Sequence, residues 1–260
     1  MPTRKLPRPT RQPCGGFFRW VIWTTAGLVN MALRANLDPA PNLLTVADAA
    51  GKISWTDIFG NNHPVELEIG SGKGTFILAA AEQCPQHNYI GMEWAKAYCD
   101  FAADRLRRHG LANARMVHAE ALWWIRCHVE ENAVAGVHVY FPDPWPKSRH
   151  HKRRLIQPEF LNEAHRILAP GGQVRVVTDH ADYFEWIKAV FAGQSALAEI
   201  PFESPLPQRD GGMVGTNFEK KYALEGRCFY VIAAQKGAVE EISAAGRQKV
   251  VKNLPAQKTG

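Results

Sequence analysis

Residues 141–154, FPDPWPKSRHHKRR, combine one rigidly held carboxylate with a dense cluster of cations. An apolar segment, Val137–Phe141, leads into Asp143, which lies between two prolines. Proline fixes φ and keeps the residue before it extended, so we expect the backbone to hold this carboxylate stiffly. Five lysines or arginines and two histidines then fall within the eight positions from Lys147 to Arg154. Cations at this density bind phosphates, and their place beside a carboxylate favours a site that acts on a nucleic acid.

A second candidate site lies in residues 65–76, VELEIGSGKGTF, where an apolar strand runs into a glycine-rich turn. Gly70, Gly72 and Gly74 would let a ligand approach the backbone and would permit positive φ, although an ordinary tight turn also accounts for them. Glu93 ends the next predicted strand about 20 residues later, where an acidic side chain can accept from both hydroxyls of a ribose. The glycine turn and Glu93 together indicate an adenosine-containing ligand.

Three features favour S-adenosylmethionine over a nicotinamide dinucleotide as that ligand. The glycines follow the spacing G-x-G-x-G and not G-x-G-x-x-G. Glu68, just before them, would repel a pyrophosphate but would suit the ammonium group of a methionine moiety. Glu120, after the third predicted strand, could meet the adenine amino group, although a helix N-terminus also favours an acidic residue there. We therefore predict S-adenosylmethionine as the cofactor.

These motifs need a scaffold that brings strand ends together, and the alternation of apolar runs with amphipathic segments from Val65 onward predicts one. We expect an α/β fold with a doubly wound, mostly parallel sheet of about seven strands. The first five strands are predicted at Val65–Ile69, Asn88–Glu93, Arg115–Ala119, Val137–Phe141 and Gln173–Thr178. The helices are predicted at Thr75–Gln83, Ala95–His109, Ala121–Glu131, Pro158–Leu168 and Ala181–Phe191. Two late strands are expected at Phe202 and at Cys228–Ala234.

Composition is consistent with one catalytic domain and an anionic partner. The 260 residues are 46% hydrophobic and carry a formal net charge of +6. The five cysteines form no C-x-x-C pair, so we expect a protein of the reducing cytosol without a metal site. We predict a catalytic domain over residues 51–236 and a polar tail over 237–260. Residues 1–50 are expected to be a loosely ordered, irregular extension, or part of a reading frame that should start at Met31. Their apolar stretch, Trp20–Leu33, is short for a membrane span of about 20 residues, and a signal peptide would be out of place here.

The motifs resemble those of the bacterial tRNA (guanine-N7)-methyltransferases from Phe59 to Lys236. The resemblance lies in LEIGSGKG, in the strand end at Glu93, in FPDPWPKSRHHKRRL, in VVTDH (176–180) and in TNFEKKY (216–222). It implies a Rossmann-like class I methyltransferase that transfers a methyl group from S-adenosylmethionine to N7 of guanosine 46 in the tRNA variable loop. The implied enzyme is cytoplasmic, is a monomer or homodimer, and has no membrane partner.

The resemblance also implies roles for the matching residues. The cofactor site would be lined by Glu68, Glu93, Glu120 and Asp143, beside the glycines Gly70, Gly72 and Gly74. The target nucleotide would be held by Lys147, Asp179, Thr216, Asn217, Phe218 and Glu219. Glu120 departs from the aspartate that is usual in the family and is one methylene longer.

We expect the cationic cluster to form the centre of the tRNA footprint. Its members after Lys147 are Arg149, His150, His151, Lys152, Arg153 and Arg154. The Lys220-Lys221 pair and the loop Ser204–Gly215 would extend it. Thr216 and Glu219 would share a face if their segment were helical, and the sequence leaves helix or strand open there.

The chemistry expected of this site is mainly positioning. Guanine N7 carries an in-plane lone pair, so no base has to remove a proton before it attacks. The ring becomes cationic as the methyl group arrives, which calls for a carboxylate that orients the base or offsets the charge. Our hypothesis is that Asp143 is this catalytic group, with Asp179 and Glu219 as partners of N1 and the exocyclic amine. A methyltransferase for a small molecule or protein, and a catalytically silent RNA-binding protein on the same scaffold, stay open as alternatives.

Overall fold

Apolar runs that are buried on both faces build a central sheet, as expected of parallel strands covered by helices. The structure is a computed structural model that describes residues 37–44, 51–206 and 213–237. Most of the predicted extension (1–50), the tail beyond residue 237 and residues 207–212 of the loop Ser204–Gly215 lie outside the described residues. Within that part of the chain, no helix combines the length and the apolar character needed to cross a membrane.

The sheet has seven strands in the order β3-β2-β1-β4-β5-β7-β6, with β7 antiparallel to both of its neighbours. The strands are β1 (Val65–Ile69), β2 (Asn88–Glu93), β3 (Ala114–His118), β4 (Val134–Tyr140), β5 (Leu168–Thr178), β6 (Leu197–Ile200) and β7 (Tyr230–Lys236). The helices are α1 (Trp55–Phe59), α2 (Thr75–Gln83), α3 (Lys96–Arg108), α4 (Ala121–His128), α5 (Pro158–Ile167), α6 (Ala181–Ala192) and α7 (Asn217–Leu224), with a 3₁₀ helix at Ser148–Arg153. The predicted fold class is confirmed.

Two apolar clusters cover the two faces of the sheet. Residues of α4, α5 and α6 pack on one face with Leu67 and Val137, and residues of α2 and α3 pack on the other. Strand order reverses between β1 and β4, which are parallel neighbours with Leu67 opposite Val137. In open α/β sheets, ligands bind outside the carboxyl ends of the strands at such a reversal, so the turn after β1 and the segment after β4 meet there.

A buried polar chain underlies that reversal on the α2 face. The Glu66 carboxylate lies 2.5 Å from His138 Nε2 and 2.6 Å from His87 Nδ1, and the Tyr140 hydroxyl lies 2.8 Å from His138 Nδ1. Burial alone would raise the pKa of Glu66, but hydrogen bonds and charges from the two histidines outweigh it and lower the pKa to about 2. These hydrogen bonds thus link polar side chains of β1 and β4 within an otherwise apolar layer.

The boundaries of the late elements differ from those predicted. The fifth strand was predicted to begin at Gln173, after a helix that ended at Leu168, but β5 already begins at Leu168, and its pairing with β4 shifts register between Val134 and Gly136. The predicted break is therefore an irregularity within the strand. Phe202 lies outside any strand, because the sixth strand is Leu197–Ile200.

Candidate active site

The glycine turn after β1 has the backbone that its sequence predicts. Gly70, Gly72 and Gly74 have φ of 81°, 53° and 69°. A Cβ on Gly70 or Gly72 would meet nothing within 4 Å, whereas one on Gly74 would lie 2.8 Å from Cβ of Ala102 in α3. The first two glycines therefore border open space where a ligand can reach the backbone, and the third lets α2 pack against α3.

Glu93 anchors this turn from the end of β2. Its Oε2 accepts a hydrogen bond of 2.8 Å from the amide of Gly72, and its Oε1 accepts one of 2.8 Å from the amide of Ala95. A carboxylate has about four acceptor positions, so both oxygens can still accept from hydroxyl groups. Glu93 is thus fixed in place with capacity for a ribose.

Glu68 presents an unused acceptor beside the same turn. The residue is 5% exposed, and its Oε2 is buried without a hydrogen-bond partner among the described residues. Burial raises the pKa of Glu68 to about 8, helped by the charge of Glu93 and opposed by the Ser71 hydroxyl. A buried carboxyl oxygen without a partner is costly, and a ligand ammonium group would satisfy it. The residues present therefore fit S-adenosylmethionine.

Glu120 forms the N-cap of α4. Its two oxygens accept from the amides of Leu122 (3.1 Å) and Trp123 (2.7 Å), which is the helix-terminus role considered from the sequence. Its contact with adenine stays a prediction. Trp94, directly after Glu93, and Trp123 are 58% and 55% exposed, and sequence reasoning missed both. Their position next to two acidic strand-end residues was the available signal.

Asp143 is held by a strained backbone as well as by its two prolines. Phe141 and Trp145, on either side of the Pro-Asp-Pro segment, have φ of 52° and 43°, a region that bulky residues rarely adopt. Asp143 is exposed to solvent on one side, and the protein around it raises its pKa by partial burial. Its carboxylate makes no hydrogen bond to any residue that the structure describes, so it is free to face a ligand.

The cationic cluster divides into an outward and an inward part. Lys147, Arg149 and Lys152 are exposed, while His150, His151 and Arg153 are half-buried around the 3₁₀ helix. The Arg153 guanidinium lies 5.1 Å from the centre of the Trp145 ring, and His150 contacts the edge of the same ring. Five of these side chains can face an RNA, whereas Nε2 of His151 is buried and has no hydrogen-bond partner among the described residues. The expected contact of His151 with tRNA stays a prediction.

Arg154 differs from the rest of the cluster, because the structure turns it inward. It is 3% exposed, its Nε donates to the Pro144 carbonyl at 2.9 Å, and its Nη2 donates to Asp182 at 2.6 Å. Its guanidinium also lies 4.8 Å from the centre of the Tyr183 ring. The expected contact of Arg154 with tRNA is corrected accordingly: the side chain is buried and donates from Nε and Nη2 to other protein groups, so the residue supports the Asp143 segment.

Thr216 and Glu219 lie on a helix, which answers the question left open by the sequence. Thr216 is the N-cap of α7, and its hydroxyl accepts from the amide of Glu219 at 3.0 Å. The Glu219 carboxylate, 5% exposed, accepts from the amides of Met213, Val214 (2.9 Å) and Gly215 (2.7 Å). It shapes the entry to α7 much as a capping-box glutamate does. Its expected bond to guanine stays a prediction.

Phe218 belongs to an aromatic group with Phe141 and Tyr222, and Asp179 is linked to that group through Arg227. Phe218 is 48% exposed and packs 6.4 Å from Phe141, which also contacts Tyr222. Burial raises the pKa of Tyr222, and the charges of Asp179 and Asp143 add to that effect. The side chain of Asn217 lies outside the described residues.

Arg227 is a site residue that the sequence did not reveal. Its Nη1 donates to Asp179 Oδ2 at 2.6 Å, and its guanidinium lies 4.1 Å from the centre of the Tyr222 ring. It follows α7, a helix that sequence reasoning did not predict. Gly226, which follows the periodic part of that segment, was the only hint of a helix end there.

Known proteins are similar to this chain in sequence, and others are similar to it in fold. A family model described as "Putative methyltransferase" matches residues 62–232. A tRNA (guanine-N(7)-)-methyltransferase of Listeria monocytogenes serotype 4a (strain HCC23) is 37% identical over 186 residues, covering 71% of this chain and 86% of the relative. A protein of the same name from Streptococcus thermophilus (strain CNRZ 1066) is 32% identical over 195 residues, covering 75% and 91%. The crystal structure of the 16S rRNA methyltransferase KamB has a TM-score of 0.52 and 15% identity, with coverage of 70% of this chain and 92% of that chain, a likeness of fold alone.

Proposed function

The chain belongs to the tRNA (guanine-N7)-methyltransferase family, and from this membership we propose that it methylates N7 of guanosine 46 in the variable loop of tRNA. The supporting observation is the adjacency of two strand ends. Glu68, whose Oε2 has no hydrogen-bond partner among the described residues, lies at the end of β1, and Asp143 follows β4, the parallel neighbour of β1. The glycine turn that would hold the cofactor, the Asp143 carboxylate and the cationic surface thus follow neighbouring strand ends.

At the cofactor end of the site, different residues bind different groups of the cofactor. When bound, S-adenosylmethionine supplies a methyl group on a sulfonium sulfur. Glu68 holds the ammonium group, and Glu93 accepts from the ribose hydroxyls while it keeps the turn at Gly72 in shape. Gly70 and Gly72 leave room for the ligand because neither has a side chain.

The nucleotide end of the site positions a base that needs no deprotonation. Guanine N7 attacks with its own lone pair, and the base gains positive charge. The Asp143 carboxylate stabilises that charge, and its rigid backbone keeps it in place through the reaction. The outward cations, including Lys147, Arg149 and Lys152, hold the RNA backbone through its phosphates. A cytoplasmic monomer or homodimer is the form of the enzyme that we propose.

Mass spectrometry of modified tRNA tests this function directly. An unmodified tRNA transcript with guanosine at position 46 is incubated with enzyme and isotope-labelled S-adenosylmethionine, digested with nuclease and sequenced by mass. We expect one labelled methyl group, as 7-methylguanosine at position 46, and none in a transcript with adenosine there. Label at another nucleotide would contradict the position, and no transfer to RNA would contradict the function.

Salt dependence separates this function from methylation of a small molecule on the same fold. Because phosphate contacts release counterions, turnover at low tRNA concentration should fall steeply as salt rises. Binding of S-adenosylmethionine, followed by calorimetry, should change far less. A non-catalytic RNA-binding protein would bind tRNA with the same salt dependence but would transfer no methyl group.

A further inference from the structure

We infer that Arg227 occupies the position of the target guanine in the free enzyme and is displaced when the nucleotide binds. The inference rests on the proposed function and deepens it, since it locates the base within the site. It assigns the Tyr222 ring as the stacking surface for the base and Arg227 as a residue that tunes affinity for guanine.

The contacts of Arg227 are those that a bound base would make. Its guanidinium donates to Asp179 at 2.6 Å, and the guanidinium carbon lies over the Tyr222 ring, 4.1 Å from the ring centre. The Asp179 side chain is 15% exposed, and that of Arg227 is 45% exposed. An inner acceptor is therefore covered by an outer donor that solvent can reach.

The end of α7 sets the position of Arg227. The amide of Arg227 donates to the carbonyl of Tyr222 at 3.0 Å, and the amide of Gly226 donates to that of Ala223 at 3.0 Å. Together with the φ of 68° at Gly226, these bonds form a Schellman motif, in which the residue after the glycine folds back over the last helical turn. In this protein that residue stacks its cation on an aromatic ring.

Guanine and the arginine side chain share one chemical unit. In both, a planar carbon bears three nitrogens, and in guanine N1 and the exocyclic amine project two N–H donors side by side. A guanidinium stacks on aromatic rings and donates in pairs to carboxylates, and guanine can do the same with this edge. Adenine and the pyrimidines lack two adjacent donors, so a pocket made of a carboxylate and an aromatic face selects guanine.

This placement suits the reaction. When N1 and the amine face Asp179, N7 lies on the opposite edge of the purine and stays free. The exchange leaves Asp179 with two neutral N–H donors and Arg227 with an anionic partner, because Arg227 also contacts Glu225 Oε2 through Nη2 at 2.7 Å. The guanidinium needs only to rotate away from Asp179 and to stay with Glu225.

Inhibition by guanosine tests the inference, since the free nucleoside has no phosphate. With tRNA as substrate and S-adenosylmethionine saturating, the inhibition constant of guanosine is measured for the wild type and for Arg227→Met. Removal of an exposed ion pair that competes for Asp179 should lower that constant about two- to fivefold, because such pairs contribute little. Adenosine should inhibit both proteins equally weakly.

Lys221→Met is the matched control. Lys221 lies 5.5 Å from the centre of the same Tyr222 ring but contacts Glu225 and not Asp179. This variant loses the same charge, so it should raise the KM for tRNA and leave inhibition by guanosine unchanged. Melting curves of both variants check that the fold is retained.

Three results would overturn the inference. The first is an inhibition constant for guanosine in Arg227→Met that equals or exceeds that of the wild type. The second is absence of inhibition by guanosine in every variant up to its solubility. The third is a rise in the KM for tRNA with a salt dependence weaker by about one ion, which would make Arg227 a phosphate contact. Since wild-type methylation of tRNA is measured in the same assay, failure of the proposed function is seen separately as absence of turnover.

Discussion

The buried guanidinium of Arg154 donates a hydrogen bond of 2.9 Å to the carbonyl oxygen of Pro144, the residue directly after Asp143. This contact joins the two ends of the motif FPDPWPKSRHHKRR. The last cation of the cluster supports the backbone that carries the candidate catalytic carboxylate. The backbone beside Asp143 and the cationic cluster are thus joined by a direct hydrogen bond within the motif.

Arg154→Met should damage the enzyme through geometry. It removes two hydrogen bonds and the contact with Tyr183, which should lower the free energy of unfolding by about 1–3 kcal/mol. Turnover should fall more than affinity for tRNA, because Asp143 loses its support. Thermal melting and steady-state kinetics measure both effects. A variant that melts like the wild type but binds tRNA poorly would contradict this role and would indicate that Arg154 contacts the RNA.

Asp143→Asn should lower turnover by about a hundredfold, the scale of losing one preorganised electrostatic contact. The amide keeps the shape of the side chain and the strained backbone, so S-adenosylmethionine should still bind measurably in calorimetry. Single-turnover kinetics with excess enzyme isolate the chemical step. Near-normal turnover would remove Asp143 from the mechanism.

Glu68 should make stability fall as pH rises. Its pKa is about 8 in the folded protein against an ordinary value of 4.5, so the folded state binds one more proton between these values. The stability present below pH 4.5 is therefore lost progressively up to about pH 8, by an amount on the order of 5 kcal/mol. Denaturant melts of the wild type and Glu68→Gln across this range measure the effect, and parallel pH profiles for the two would refute it.

The same carboxyl should couple cofactor binding to proton release. A cationic ammonium group favours the ionised form of Glu68, so binding near neutral pH should expel close to one proton. Calorimetry in buffers of different ionisation enthalpy counts the protons. Glu68→Gln should release none, and an equal count in both proteins would show that the proton comes from elsewhere.

Glu66 should make the stability of the protein fall as pH decreases below about 4.5, the opposite of the effect of Glu68. Its pKa is lowered to about 2, so the unfolded chain takes up a proton near pH 4.5 while the folded protein does not. The stability present above pH 4.5 is lost as pH falls towards 2, by an amount on the order of 3 kcal/mol. Glu66→Gln should flatten this decline. Glu82→Gln is the control, since Glu82 contacts His109 at the surface and should leave the decline intact.

Lys152→Met should weaken tRNA binding without changing the fold. Lys152 is exposed in the cationic cluster, so its loss should reduce the slope of log affinity against log salt by about one. Filter binding over a series of salt concentrations measures the slope. Lys188→Met, on α6 and paired with Glu185, should leave it unchanged. Equal slopes for all three proteins would place the RNA elsewhere.

Strands with a strong local pattern could be predicted from the sequence. Val65–Ile69 and Asn88–Glu93 are found where they were expected, because buried parallel strands appear as short apolar runs that end at glycine or charged residues. The 3₁₀ helix was missed and the form of α7 was left open between helix and strand, because many of their residues are polar and their form depends on contacts such as that of Glu219 with the loop before it. Such contacts leave little periodicity in the sequence.

The sequence alone determined the fold class, the adenosine ligand and the pairing of one acid with a cationic surface. Each follows from local rules: burial of apolar runs, the freedom of glycine and the stiffness of proline. Only the tertiary structure decided which charges face outward. Arg154 is buried, Glu219 binds amides, and Asp179 pairs with Arg227. A side chain's partner depends on which distant segment the fold brings within about 3 Å, and spacing along the chain does not record that distance.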